Sequence, residues 1–450
     1  MKINNRENMQ DRAKSILNDT AMFIDLEVLS DVSYYIQNNM RAYQADYNFL
    51  FGNTKITDDV SLIKRLLNLG IPKSLLTNQR TETLTKAAPY LNAALESPSL
   101  DDDQKDVIRL LKFMTRKNSE LSNLKQYLRL PIANEVSYEG HSMAIARPTY
   151  ELLSTQRFGA SDPSLQNLVR EYQAIITVPK GMVPVISDSS QVEPMIIYNW
   201  KINDQAIVDL IKLYDDAYYA LYHYCMYGDE LVKKNIPVEE RKAIKLLSNQ
   251  ANYGSESMGG SKIATMFNKK VTNHPLRLKW EADVTKSVDM GVPIFENYFG
   301  IPVYPEKNKT KYTTLKYSKN PREVEAYRKH LIRCGINNPI QSTAAFLMNQ
   351  SVCRGYDLIE APGIGTLGYY KHDESFWGID EDMVDIYAPM VRDLMSYEVD
   401  DWAKINSDLV IGRKELKINV RSVEQIFDKH EDDGSSLEVI DDTIIEEDIQ

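Results

Sequence analysis

Apolar residues recur at helical spacing through much of the first third of the chain, and residues 25–130 read as helices joined by short loops. In DDVSLIKRLLNLGI, Asp58 to Ile71, the periodic run ends at Gly70, which suits a C-terminal cap. A longer helix is predicted in SLDDDQKDVIRLLKFMTRKNSELSNLKQYLRLP. Ser99 and the acids Asp101 to Asp103 suit its N-terminal dipole, and Pro131 stops it. Residues 136–200 change to a mixed strand-and-turn pattern, with the apolar run GMVPVI, Gly181 to Ile186, forming a strand that stops at Asp188. Helical spacing returns over 203–270, residues 275–320 read as irregular and aromatic, and 321–355 is helical again. GIGTLGYYKHDESFWGI, Gly363 to Ile379, reads as two short strands meeting at a tight turn around His372–Asp373. The order is helices, part of a sheet, a helical insertion, then the rest of the sheet, which predicts a mixed α/β (α+β) fold. No internal repeat and no Pro/Gly-rich linker interrupts it.

Composition narrows the class. A chain of 450 residues is too long for one ordinary core and suits two or three subdomains. With 43% hydrophobic and 26% charged residues it reads as a soluble globular protein. No apolar run reaches about 18 residues, so no membrane partner is expected. The opening MKINNRENMQDRAKSIL lacks the apolar middle of a secretory signal. Cys225, Cys334 and Cys353 form no CxxC pair, which argues against a disulfide framework or zinc site and suits a reducing cytoplasm. The net charge of −11 is concentrated in the tail, where Glu431, Asp432, Asp433, Glu438, Asp441, Asp442, Glu446, Glu447 and Asp448 follow Lys429 with no further Lys or Arg. That tail, 429–450, reads as a disordered acidic extension. Net charge therefore excludes no nucleic-acid partner, and local patches decide.

The candidate chemistry lies where carboxylates meet the predicted sheet. Burying Asp188 and Glu193 of SDSSQVEPMI is costly unless they meet a cation or donors. If the strands around Asp188 and Asp373 share a sheet, the two acids face each other and suit Mg²⁺, a hard ion that takes oxygen ligands. Two such ions about 3.5–4 Å apart activate an attacking hydroxyl and neutralise a leaving pyrophosphate. The alternative is a pair of surface charges. Arg241, Lys245, Asn249 and Tyr253 step by four along one helix face, with Gly254 after them. Such a stripe grips a triphosphate and stacks an aromatic on a base or sugar, or is a solvated basic face with a core tyrosine. In IRCGINNPIQSTAAFLMNQ, Arg333, Asn337 and Gln341 repeat the step of four and offer donors to nucleic-acid edges and phosphates, or to solvent and helix caps. Lys105, Arg109, Lys112 and Arg116 form a further basic stripe, either a solvated face or one that tracks a phosphate backbone.

Taken together, these pieces resemble the family A DNA polymerases, the group of bacterial DNA polymerase I and many phage replicative polymerases. The family's strand motif D-x-S-Q-[IV]-E is matched by Asp188, Ser190, Gln191, Val192 and Glu193. Its fingers helix R-x3-K-x7-Y-G is matched by Arg241, Lys245, Tyr253 and Gly254, and its palm hairpin H-D-E by His372, Asp373 and Glu374. R-x5-P-[NS]-L-Q-N is matched by Arg157, Pro163, Ser164, Leu165, Gln166 and Asn167, with Arg170 beyond; R-x3-N-x3-Q is matched by Arg333, Asn337 and Gln341. The matches run in the family's order over roughly 150–380.

The resemblance implies a right-hand polymerase with a palm sheet, helical fingers and a helical thumb. The expected division is an N-terminal segment 1–40, thumb 41–135, palm 136–200 and 353–428, and fingers 201–352. It also implies DNA-directed extension of a primer with dNTPs. Asp188 and Asp373 would hold two Mg²⁺ ions, with Glu374 a supporting acid. Arg241 and Lys245 would bind the nucleotide's phosphates, Lys245 also protonating pyrophosphate, with Gln191 and Asn249 in the same nucleotide site and Tyr253 against the nascent pair. Glu193 would be the steric gate against a ribose 2′-hydroxyl. Arg157, Gln166, Asn167, Arg170, Arg333, Asn337 and Gln341 would hold primer-template, with His372 by the primer end.

Three positions depart from the pattern: Asn249 stands for a usual aromatic, Met195 for a common Arg, and Gln156 for the Gly before Arg157. FIDLE, Phe23 to Glu27, offers the D-x-E of an exonuclease site but reads as a simple helix start. Only residues 1–40 precede the expected thumb, so proofreading is expected from a separate exonuclease or replisome partner, in a phage-like enzyme of the host cytoplasm. The rival readings are a single-subunit RNA polymerase, against which Glu193 speaks, and a non-catalytic DNA-binding replication factor.

Overall fold

The computed structural model describes residues 4–77, 84–168, 170–252, 261–291, 294–304 and 318–412. The chain forms two compact units. One comprises Met1–Ala21, Arg147–Ser161 and Gly181–Ile411; the other comprises Met22–Ala146, Asp162–Lys180 and Gly412–Gln450. Among the described residues no helix is long and apolar enough to cross a membrane. Tyr253, Gly254 and the acidic tail lie outside the described residues.

The unit containing Met22–Ala146 joins an antiparallel sheet to a helical core. Its strands are β1 (Met22–Asp25), β2 (Ile132–Val136), β3 (Ser142–Ala146) and β6 (Ile176–Thr177), in the order β2-β3-β1-β6. FIDLE, expected as a simple helix start, is divided: Leu26 and Glu27 do start a helix, but Phe23 to Asp25 are the end of β1. Asp25 is fully buried, caps helix Leu26–Ala42 by accepting from the backbone N–H of Glu27 and Val28, and meets His141 Nδ1 at 2.9 Å. Helix Asp59–Asn68 stops before Gly70, whose φ of +84° places it in the left-handed region that glycine favours. Helix Asp102–Tyr127 opens on a capping box between Asp101 and Gln104, and the Gln104 amide also donates to Gly70 O at 3.1 Å. Leu62, Leu66, Ile108 and Leu111 from these helices meet Tyr47 and Phe51 in one core.

Two of the four cations of the basic stripe on that helix, Arg109 and Arg116, are paired within their own unit. Arg109 pairs with Asp106 at 2.6 Å. Arg116 and Lys117 pair with Glu120 at 2.8 and 2.9 Å, and Tyr172 donates to the same carboxylate at 2.8 Å. Glu120 is only 4% exposed, so these three donors are what allow a carboxylate there.

The other unit is built on a four-stranded antiparallel sheet, ordered β10 (Gly365–Lys371), β11 (Glu374–Asp380), β7 (Met182–Ser189), β12 (Ser407–Ile411). β7 runs through Asp188 to Ser189 instead of stopping at the aspartate, because it is paired on both sides over that end. A second hairpin joins β4 (Thr149–Leu152) to β5 (Phe158–Ser161), and a small one joins β8 (Phe295–Glu296) to β9 (Pro302–Val303). The expected helices appear at Val238–Asn252 and Pro321–Gly355.

A further expectation fails. Pro275–Asp289, read as irregular, is a helix. Pro275 sits in its first turn and the His274 side chain accepts from Leu276 N–H, both proper helix starts. Its inward face carries Arg277, 2% exposed, which donates to Glu281, Asn252 and Ala251 O at 2.9, 3.3 and 2.8 Å. A buried face with a cation on it gives no apolar period to read.

The long helix ends against the sheet at a position only glycine fills. A Cβ on Gly355 would lie 2.6 and 2.7 Å from two ring carbons of Trp377, itself 2% exposed on β11. Gly355→Ala is therefore expected to destabilise the protein by about 1–3 kcal/mol, measured as a lower denaturation midpoint. An unchanged midpoint would mean that this helix end is free to shift.

Candidate functional site

Strand register gathers the acids at one end of the sheet. Asp188 on β7 is the direct partner of Glu374 on β11 and of Asp408 on β12. Ser189 N–H donates to Asp373 O at 2.9 Å, which sets the His372–Asp373 turn beside the end of β7. His372 takes the left-handed conformation the turn requires, with φ +54°. Directly opposed residues share a sheet face, and like charges opposed there are unfavourable. Burial pushes the Asp373 carboxyl up to about 6; nearby Arg157 opposes the shift, while Glu193 and Glu374 add to it. The Tyr369 hydroxyl bonds to Glu374, and burial with that carboxylate holds the phenol well above its ordinary value. Desolvation, with Arg157 and Lys371 near it, holds the His372 imidazole below its ordinary value. Among the described residues no group of three or more His, Cys, Asp or Glu side chains converges as a ready metal cage. The donors are oxygen atoms on adjacent strands, a set suited to a hard divalent ion that completes its shell with water or phosphate.

Beside these acids Arg157 pairs with Glu193 at 2.6 Å, each side chain 23% exposed. The β4–β5 turn presents Arg157, and Glu193 opens the helix Val192–Ile196 immediately after Gln191, whose φ is +56°. Gln191 is fixed at both ends of its amide. Its Nε2 donates to Asp216 at 2.6 Å, and its Oε1 accepts from Ala217 N–H at 2.9 Å. Asp216 is the hub: it caps helix Ala217–Met226 and also receives Arg241 at 2.8 Å. The Arg241 guanidinium lies 5.3 and 5.5 Å from the ring centres of Tyr218 and Tyr219. Lys245 and Asn249, one and two turns further along, are exposed.

A narrow cleft lies near this network, lined by Glu193, Asn252, Trp280, Asn337 and Gln341 among others. Asn337 and Gln341 project from successive turns of Pro321–Gly355, with Arg333 one turn earlier and half-buried. Within this unit the structure thus groups Asp188, Asp373, Glu374 and His372 at the sheet end. Arg157, Glu193, Gln191 and Arg241 form paired neighbours, and Asn337 and Gln341 share the cleft with Glu193.

Gln166, Asn167 and Arg170 belong to the other unit. There Asn167 donates to Ser164 Oγ at 2.8 Å and its carbonyl accepts from Asn123 at 3.0 Å, while Gln126 accepts from Ser164 N–H at 2.9 Å. These bonds seat the loop on the end of helix Asp102–Tyr127. Arg170 begins the short 3-10 helix Arg170–Ile175.

Three further residues belong to these constellations. Asp216 was detectable only as an acid at a helix start, and Asp408 only as an acid in a short strand. Trp280 fell in the segment read as irregular.

No family model matches the sequence, and no curated protein matches it. The fold does match solved structures, among them the POL domain of Pol1 from M. smegmatis in complex with DNA primer-template and dNTP. That match has a TM-score of 0.71 at 17% identity and covers 92% of this chain and 71% of that one. The chain has the fold of a polymerase domain.

The raised Asp373 value has a stability consequence in metal-free buffer. Its folded value, about 6, lies above the ordinary 3.8, so its ionisation opposes folding and stability is lost as pH rises from about 4 through 6. Asp373→Asn is expected to be more stable than wild type by ~1–3 kcal/mol at pH 8 with a chelator present, with the difference gone near pH 4. Equal stability at pH 8 would show that Asp373 ionises at no cost.

Proposed function

We propose that the chain is a family A DNA polymerase that extends a primer 3′ end with dNTPs on a DNA template. The observation that carries the reading is Asp188 opposite Glu374 on adjacent strands, with Asp373 in the turn beside the end of β7, in a polymerase-domain fold. The ordered motifs over 150–380 and the DNA and dNTP bound to the similar Pol1 domain support it. On this reading the four-stranded sheet is the palm, the helices Val238–Asn252 and Pro321–Gly355 belong to the fingers, and the helices within 41–135 form the thumb.

The reaction is an in-line displacement: the primer 3′-oxygen bonds to the α-phosphorus and the bond to pyrophosphate breaks. Asp188 and Asp373 would hold Mg²⁺, which when bound acidifies the attacking hydroxyl and neutralises the leaving group. The remaining roles fall to the protein. Lys245, exposed on its helix, stands to give a proton to the departing pyrophosphate, and Arg241 to bind phosphate oxygens. Glu193 would exclude a 2′-hydroxyl, while Arg157, Asn337, Gln341 and His372 would hold the primer-template near its end. Arg333, Gln166, Asn167 and Arg170 would contact its backbone, Gln191 and Asn249 would border the nucleotide, and Tyr253 would stack on the nascent pair.

The test is extension of a labelled primer with Mg²⁺, offering dNTPs and NTPs in parallel. The expected product appears with dNTPs alone. Product with NTPs would favour the RNA polymerase reading. Tight primer-template binding without product would favour a non-catalytic factor, a reading that the departures at Asn249, Met195 and Gln156 keep in play. Asp373→Asn is expected to lose extension while binding primer-template within about twofold of wild type, and undiminished synthesis would overturn its assignment. Glu193→Ala is expected to raise ribonucleotide incorporation by about tenfold or more; an unchanged ratio would remove its gate role.

A further inference from the structure

Gln156 stands immediately before Arg157 in a conformation that suits glycine better. Its φ is +61°, where a side chain persists only when its surroundings hold it. Here they do, through both ends of the amide. Gln156 Nε2 donates to Pro302 O at 2.8 Å, and its Oε1 accepts from the Ser342 hydroxyl. Ser342 is fully buried on the long helix Pro321–Gly355 and in turn accepts from Asn297 Nδ2 at 3.0 Å. Asn297, 2% exposed, closes the turn between β8 and β9 by accepting from Phe299 and Ile301 N–H, both at 3.0 Å. Donation therefore runs one way, from Asn297 to Ser342 to Gln156 to Pro302. The chain's own backbone fixes the other side: Gln156 N–H donates to Leu153 O at 2.9 Å, and Leu153 N–H to Arg157 O at 2.8 Å.

We propose that Gln156 is a positioning residue that locks the Arg157 turn to the helix bearing Asn337 and Gln341, so that these side chains meet the primer end as one rigid set. The proposal rests on the polymerase reading above. Ser342 directly follows Gln341, so a bond from Gln156 to Ser342 ties the two elements within one residue of each proposed DNA contact on either side. The side chain does what a glycine in the same backbone conformation would not: it carries a hydrogen-bonded link across to another element. A displacement of about 1 Å at a reacting end is enough to slow a reaction severely.

Glycine suits this backbone conformation and lacks the amide, so Gln156→Gly separates the link from conformational strain. Ser342→Ala removes the same link from the helix side. Single-turnover primer extension is to be measured for wild type, Q156G, S342A, R157A and the double variants, alongside thermal midpoints. The expected result is a loss of about tenfold in extension rate for Q156G and for S342A, with Q156G keeping its thermal midpoint. The double variant Q156G/S342A should be no slower than either single one, and Q156G/R157A no slower than R157A. Wild-type rates in both single variants, or losses that multiply in either double variant, would overturn the clamp while leaving the polymerase reading intact. A wild-type protein that does not extend a primer would overturn both, and that control is read first.

Discussion

The site depends on the register of β7 between its two neighbours. Side chains alternate faces along a strand, so a slip of one residue would turn Asp188 to the opposite face from Glu374 and Asp408. Pairing on both sides holds that register, and Pro184 inside β7 does not break it. The sheet end brings carboxylates together, and burial first, with Glu193 and Glu374 adding to it, pulls Asp373 toward its neutral form. Such an arrangement is unfavourable by itself and becomes favourable when a cation joins it. On the polymerase reading, some stability is given up for a site, as expected where structure serves chemistry.

The two arginines of this network are matched rather than left to solvent. Arg157 is held by Glu193, and Arg241 by Asp216 between two tyrosines. Partly buried pairs of this kind keep long side chains in one orientation, which matters more than their net stability. On the polymerase reading, a phosphate or a base edge approaching these arginines replaces one hydrogen-bond acceptor with another, so no bare cation is desolvated. Asp216 has a wider role, because it orients Gln191, Arg241 and the start of helix Ala217–Met226 with one carboxylate.

The three departures from the family pattern meet three different environments. Met195 is 4% exposed in the short helix after Gln191, an apolar setting in which an arginine would need an acid partner. Asn249 is exposed on its helix and leaves the fold indifferent to the change. Gln156 is the one with structure built around it, through Pro302 and Ser342. A departure from a motif therefore has no fixed meaning until its surroundings are known.

Much of the fold was legible from local rules. Asp101 with Gln104, Gly70 and the polar–apolar switch around His372–Asp373 act over a few residues, so helix ends and the acid-bearing turn can be read along the chain. The same holds for Asp188, Arg241 and Gln341, whose spacing and order are properties of the sequence itself. Pro275–Asp289 escaped because its buried face holds Arg277 in place of an apolar stripe. The partners escaped for a more general reason. Arg157 meets Glu193, Arg241 meets Asp216, and Asp188 lies beside Asp408 across 36, 25 and 220 positions respectively. No local period encodes such meetings, because strand pairing and packing decide them. The sequence by itself determined which candidate groups the chain carries and in what order, and the tertiary structure alone decided which of them hold one another in place, because those meetings are made by strand pairing and packing.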